Sequence, residues 1–273
     1  MKSGLFQGGL EAPPFRQGNF SFAHEWLEQV GTLDGLLARL DALRGADDAH
    51  RYLCTLDDIS QCSYTCGHAG QDERLYLDAP EDEDWDDAAQ TQARALATLQ
   101  HRVRQLAQPG LVQSWGQVCG SLAVACDDVD ALLAANREPD RLLDEVIYVQ
   151  RVPAALLPGG DVLIAAAPNG YFSADWDTFQ NHAIICHLAA HYGYRFFAMG
   201  AAWMGFERGT PPDAVLAERL VQDLRELYGK GRSEVLGHAA WARLAQQLQA
   251  RRTLVLGYAE NLTESLGLDQ DAE

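Results

Sequence analysis

The spacing of apolar residues changes period near residue 140, and this change constrains the possible folds more than any other feature of the chain. Ahead of it, Phe22, Trp26 and Val30 recur four apart, which predicts a first helix after Ser21. Leu33, Leu36, Leu37, Leu40 and Leu43 form a second helical stripe, opened by Thr32 and closed by Gly45. Trp85, Ala89, Ala93, Leu96, Leu99, Val103 and Leu106 keep helical spacing until Pro109-Gly110 stops them. Residues 1–20 carry Pro13-Pro14 and no apolar period, so they read as an irregular amino-terminal arm, and residues 21–140 read as a mainly helical region.

Beyond residue 140 the runs shorten and become rich in β-branched and aromatic residues. Val146 to Val152, Val162 to Ala167, Tyr194 to Met199 and Ala202 to Phe206 are predicted strands, with Arg252 to Tyr258 as an edge strand. Between them, helices are predicted from about Trp176 to Tyr192, closed by Gly193, and from Pro211-Pro212-Asp213 to Gly229, with a further one capped by Ser233. The expected fold class is therefore α+β. After the irregular arm, residues 21–140 are expected to make the amino-terminal half helical, and residues 141–273 an α+β domain whose mainly antiparallel sheet has helices packed on one face.

Composition narrows the functional classes. The chain has 273 residues, 39 acidic against 21 basic, and a formal charge of −18. Such a charge repels phosphate backbones and anionic lipid, so neither nucleic acid nor a membrane is an expected partner. The longest apolar stretch, Phe196 to Phe206, is well short of the roughly 18 residues that a bilayer span needs. The amino terminus lacks the apolar segment of a secretory signal, and the six cysteines are scattered, so a reducing cytoplasm is the expected location. Lysine occurs only at Lys2 and Lys230, an arginine-for-lysine bias that points to a GC-rich bacterial genome.

Two groups of residues have the chemistry of metal ligands. Cys62, Cys66 and His68 supply two thiols and an imidazole within seven residues, which makes zinc the candidate cofactor, although no second ligand pair follows at the usual interval. His182, Cys186, His187 and His191 crowd one predicted helix as two i, i+4 pairs, His182/Cys186 and His187/His191. At about 100° per residue His182 and His187 diverge by about 140°, so one ion cannot collect all the histidines. His187 is followed by Leu188, so the HExxH metalloprotease pattern is absent. Gly229-Lys230-Gly231-Arg232-Ser233 lacks P-loop spacing, and neither G-x-S-x-G nor G-x-G-x-x-G occurs.

The most biased segment is Asp72 to Asp87, with nine acidic residues and Arg74 as its one base. Asp82, Glu83, Asp84, Asp86 and Asp87 surround Trp85, a pattern that suits electrostatic docking of a basic protein with an aromatic anchor. The expectation from sequence is a non-enzymatic binding protein of immunity-like or regulatory kind. Its alternative is a metal-dependent or acid/base hydrolase built on His187/His191 or on Cys62/Cys66/His68. Asn169 to Trp176 and Ala201 to Phe206 concentrate aromatics and glycines, and would line a shallow pocket if the fold brought them to one edge of the sheet.

Overall fold

The computed structural model describes residues 1–6, 17–80, 84 and 87–267. Seven strands form one sheet: β1 (Lys2–Leu5), β2 (Ala23–Glu28), β3 (His50–Thr55), β4 (Val146–Pro153), β5 (Arg195–Met199), β6 (Trp203–Glu207) and β7 (Thr253–Gly257). Among the described residues ten α-helices punctuate them: α1 (Leu33–Ala46), α2 (Ile59–Ala69), α3 (Ala88–Leu106), α4 (Trp115–Val118), α5 (Cys126–Arg137), α6 (Thr178–Tyr192), α7 (Ala214–Gly229), α8 (Ser233–Leu236), α9 (Ala240–Leu248) and α10 (Leu262–Ser265). The fold is α+β, but the expected division into a helical half and a sheet half is overturned. Strands are spread along the chain, in sheet order β1-β2-β4-β3-β5-β6-β7, so both sides of residue 140 build one sheet.

The error has a local cause. Phe22, Trp26 and Val30 are spaced by four, which is a multiple of two as well as close to one helical turn. The segment is strand β2, where Glu25 and Leu27 alternate onto the buried side and Gln29 ends the run at a positive φ of 55°. Val162–Ala167 errs in the other direction: Asp161–Ala166 is a 3₁₀ turn, buried from Val162 to Ala166. A short run that is apolar throughout carries no period to separate the two. The expected single-sided covering fails too. Every residue of β6 and β7 is buried, without the alternation of a sheet wetted on one face, so both faces are covered there.

All neighbouring strands run antiparallel except β3 and β5, which pair in parallel through Cys54↔Ala198 and Thr55↔Met199. Because β5–β6 and β6–β7 are both antiparallel, β7 points the same way as β5. The carboxyl ends of β3, β5 and β7 therefore share one end of the sheet. The core behind them is large and aromatic, with Trp176, Trp203, Tyr148, Tyr258, Phe20 and Phe197 fully buried.

Capping chemistry fixes where several helices begin. Thr32 accepts the Gly35 amide before α1, Asp213 accepts Leu216 before α7, and Asp177 with Gln180 closes a reciprocal capping box on α6. Gly193 ends α6 at a left-handed φ of 68°. At the far edge of the sheet, the buried Asn136 side chain donates to Val255 O and accepts Val255 N–H, each near 3 Å, so α5 supplies β7 with the ladder bonds that a missing neighbour would have made. Among the described residues no helix is long and apolar enough to cross a membrane.

Candidate functional site

The shared carboxyl ends of β3, β5 and β7 open into a cleft of about 810 Å³. Its walls come from five segments far apart in sequence, one of them the β5–β6 turn at Ala201 and Ala202. Asp57 and Asp58 follow β3, Asp144 precedes β4, Phe172 and Asp175 lie between Asn169 and α6, and Glu260 and Glu264 follow β7. Arg141 is the one basic residue of the lining.

Asp57 sits beneath the cleft floor. Its Oδ2 accepts the Ala202 amide N–H at 2.9 Å, and its carbonyl oxygen accepts the Ala201 N–H at 3.1 Å, which docks the β5–β6 turn onto the end of β3. Oδ1 is cut off from solvent and has no hydrogen-bond partner among the described residues. Burial pushes this carboxyl up to about 7, against the backbone amides that favour its charged form. Asp175, whose oxygen accepts the Glu260 N–H at 3.3 Å, is pushed up to about 6, again chiefly by burial. Asp58 and Asp144 also cap α2: Asp58 accepts Gln61 N–H at 2.9 Å, and Asp144 accepts Ile59 N–H at 2.6 Å.

The loop Asn169–Asp177 carries the aromatic side of the cleft and is fastened from beneath. The Asn169 side chain donates to Gly200 O at 3.0 Å, while its own carbonyl accepts the Thr178 hydroxyl at 3.1 Å. Gly170 holds a φ of 102°, and a Cβ there would lie 1.9 Å from Trp176 O, so only glycine fits. The two aromatic segments singled out in the sequence do meet: Phe172, Asp175, Ala201 and Ala202 share the cleft. Beyond Phe172 the aromatics continue over the surface, with ring centroids 5.2 Å apart for Tyr171–Phe172, 4.6 Å for His68–Tyr171 and 4.3 Å for Tyr64–His68. Tyr64, Tyr171 and Phe172 are all more than 40% exposed, an unusual grouping for such rings.

The residues proposed from sequence have other placements. Cys62 and Cys66 are buried one turn apart on α2 with sulfurs 3.9 Å from each other, whereas His68, two residues on, faces the opposite side and joins the exposed aromatic row. A step of two rotates about 200° around a helix, so these three ligands do not converge. In the acidic segment Asp82, Glu83, Trp85 and Asp86 lie outside the described residues. Asp84 is exposed, and Asp87 is the N-cap of α3, accepting Ala89 and Gln90 N–H at 2.8 and 3.2 Å.

His187 is held between helices. Its Nε2 is 2.7 Å from Asp223 Oδ2, which also accepts the Tyr192 hydroxyl at 2.6 Å, and its ring stacks on Trp115 at 3.7 Å. Burial lowers its pKa, with Asp223 opposing. This arrangement pins α6 to α7 and α4, which is a structural task. Among the described residues, Asp161, His182 and Cys186 are the group whose donor atoms lie close enough together to hold a metal ion. The sequence showed the His182/Cys186 pair but not Asp161, because a ligand 21 residues upstream leaves no spacing signal.

Comparison with protein-family models, with curated proteins and with solved structures finds no match. The chemistry of the site itself therefore carries the functional reading.

Proposed function

We propose that this chain is a cytoplasmic bacterial binding protein, immunity-like or regulatory in kind, that takes an arginine- or lysine-rich segment of a protein partner into the acidic cleft. The observation that carries the reading is the continuity, through Phe172, of a cleft walled by carboxylates with a row of exposed aromatic rings. Carboxylates attract guanidinium and ammonium groups, and the rings offer both apolar anchors and cation–π faces. The formal charge of −18 extends the attraction beyond the cleft, with the Asp72 to Asp87 segment as a further source of field. The free thiols of all six cysteines agree with a reducing compartment.

Calorimetric titration with an arginine-rich peptide tests the reading. Glu260→Gln with Glu264→Gln removes two exposed charges that cap no helix, and is expected to weaken binding about tenfold at low salt, from about 0.5–1 kcal/mol per charge. Phe172→Ala is expected to cost a further factor of about five or more, as loss of an anchor ring does. Raising ionic strength from about 0.01 to 0.15 M, which shortens the Debye length from about 30 to 8 Å, should weaken the wild type more than the double variant. Equal affinities for the wild type and all variants would refute the reading.

A further inference from the structure

A second cavity, of about 740 Å³, lies away from the acidic cleft, between α6, β5 and the loop after β4. Asp161 and Cys186 line it, along with Tyr194, Arg51 and Arg195. Cys186 Sγ stands 3.3 Å from His182 Nε2 and 3.4 Å from Asp161 Oδ2, and the three donor atoms all fall within 4.8 Å of one another. Helix α6 sets the first pair, since residues four apart share a face. Gly159 permits the third: a Cβ at that position would lie 2.4 Å from Asp161 Oδ1, so a side chain there would push the carboxylate out of place.

We propose that Asp161, His182 and Cys186 form a three-ligand Zn²⁺ site whose fourth position opens into this cavity. A tetrahedral zinc ion has bonds of about 2.3 Å to sulfur and about 2.0–2.2 Å to nitrogen and oxygen, which puts the sulfur about 3.5–3.6 Å from each of the other donors. The two sulfur separations match that requirement to within about 0.3 Å, and the third pair, His182 Nε2 with an Asp161 carboxylate oxygen, lies within 4.8 Å. The donor set selects the ion. Thiolate with imidazole and carboxylate suits zinc, while magnesium and calcium require oxygen throughout.

Three protein ligands with one free position is the arrangement of reactive zinc sites, in contrast to the closed four-ligand structural sites. His182 is buried behind the other two, so the free position faces the side that Asp161 and Cys186 line. Water occupies it, in a cavity whose wall carries both arginines (Arg51, Arg195) and aspartates (Asp47, Asp48). The Tyr194 hydroxyl lies in the same wall and has no hydrogen-bond partner among the described residues. On zinc uptake the Cys186 thiol proton leaves to solvent and the sulfur–zinc bond takes its place. Uptake therefore releases a proton, as binding to any thiol ligand does. In the metal-free protein the same distances serve as thiol hydrogen bonds, and the experiment separates the two descriptions.

Chelator-stripped full-length protein is titrated with Co²⁺ and then with Zn²⁺. The expected result is one ion per chain, a near-ultraviolet sulfur-to-cobalt charge-transfer band, and visible bands of a tetrahedral ion, all displaced by zinc. Cys186→Ser should abolish the charge-transfer band, while Cys126→Ser should leave it intact. Asp161→Asn, at a half-buried position, should retain the metal-free unfolding midpoint and weaken zinc binding by more than the 10–100-fold or so that loss of an outer-shell partner costs. Absence of the band at stoichiometric cobalt, its survival in Cys186→Ser, or unchanged zinc affinity in Asp161→Asn would overturn the proposal.

Discussion

Replacing Gly200 with alanine is expected to destabilise the protein by about 3 kcal/mol, at the upper end for overpacking a rigid site. The new methyl would lie 1.6 Å from Asp57 Oδ1, 2.6 Å from its Cγ and 2.7 Å from its backbone nitrogen. The carboxyl could swing away, but the backbone nitrogen cannot without pulling β3 from its register with β5. Gly200 O is also fixed from two other directions, by the Tyr258 hydroxyl at 2.7 Å and the Asn169 side chain at 3.0 Å, so the turn has little freedom to retreat. Gly209→Ala is the control, since nothing lies within 4 Å of a Cβ at that position. Urea unfolding checks both. A Gly200→Ala protein within 0.5 kcal/mol or so of the wild type would mean that the cleft floor is not built as described.

The second large effect is a pH dependence of stability centred on Asp57. Its folded carboxyl has a pKa raised to about 7 from an ordinary 3.8, so the folded state holds a proton that the unfolded state has released. The stabilisation from the protonated form is fully present below about pH 4 and is lost as pH rises through 7. The difference corresponds to about 4 kcal/mol. Asp57→Asn keeps an acceptor for the Ala202 amide but cannot ionise. The stability difference between wild type and variant is expected to change by about 4 kcal/mol between pH 4 and pH 8, with the wild type relatively weaker at the alkaline end. Comparing the two proteins cancels the other groups, including Asp175, His182 and His187. Parallel pH profiles would show that Asp57 ionises normally in the folded protein.

How far the sequence predicted the structure varied from one element to another, for physical reasons. Helices with a sustained stripe and strong caps, such as α1, α6 and α7, were legible almost to the residue, because period and capping agree there. Strands β5 and β6 and the edge position of β7 were legible as well. Strand β3 was not, since Tyr52 to Leu56 is a continuous buried run with no alternation, flanked by charged residues. Missing β2 and β3 made the amino-terminal half look helical. The cleft was half legible. Its aromatic side came from segments notable for their composition, whereas Asp57, Asp144, Asp175 and Glu260 are single carboxylates brought together from separate loops in a chain with 39 acidic residues. Only the shared direction of β3, β5 and β7 collects them.

The most direct test of the binding account is amide hydrogen exchange, followed by mass spectrometry, with and without a saturating arginine-rich peptide. Slower exchange is expected in four of the segments that wall the cleft, 57–61, 141–144, 172–175 and 259–265. Protection confined to residues 72–87, or absent from all four segments, would contradict the assignment of the cleft as the binding site.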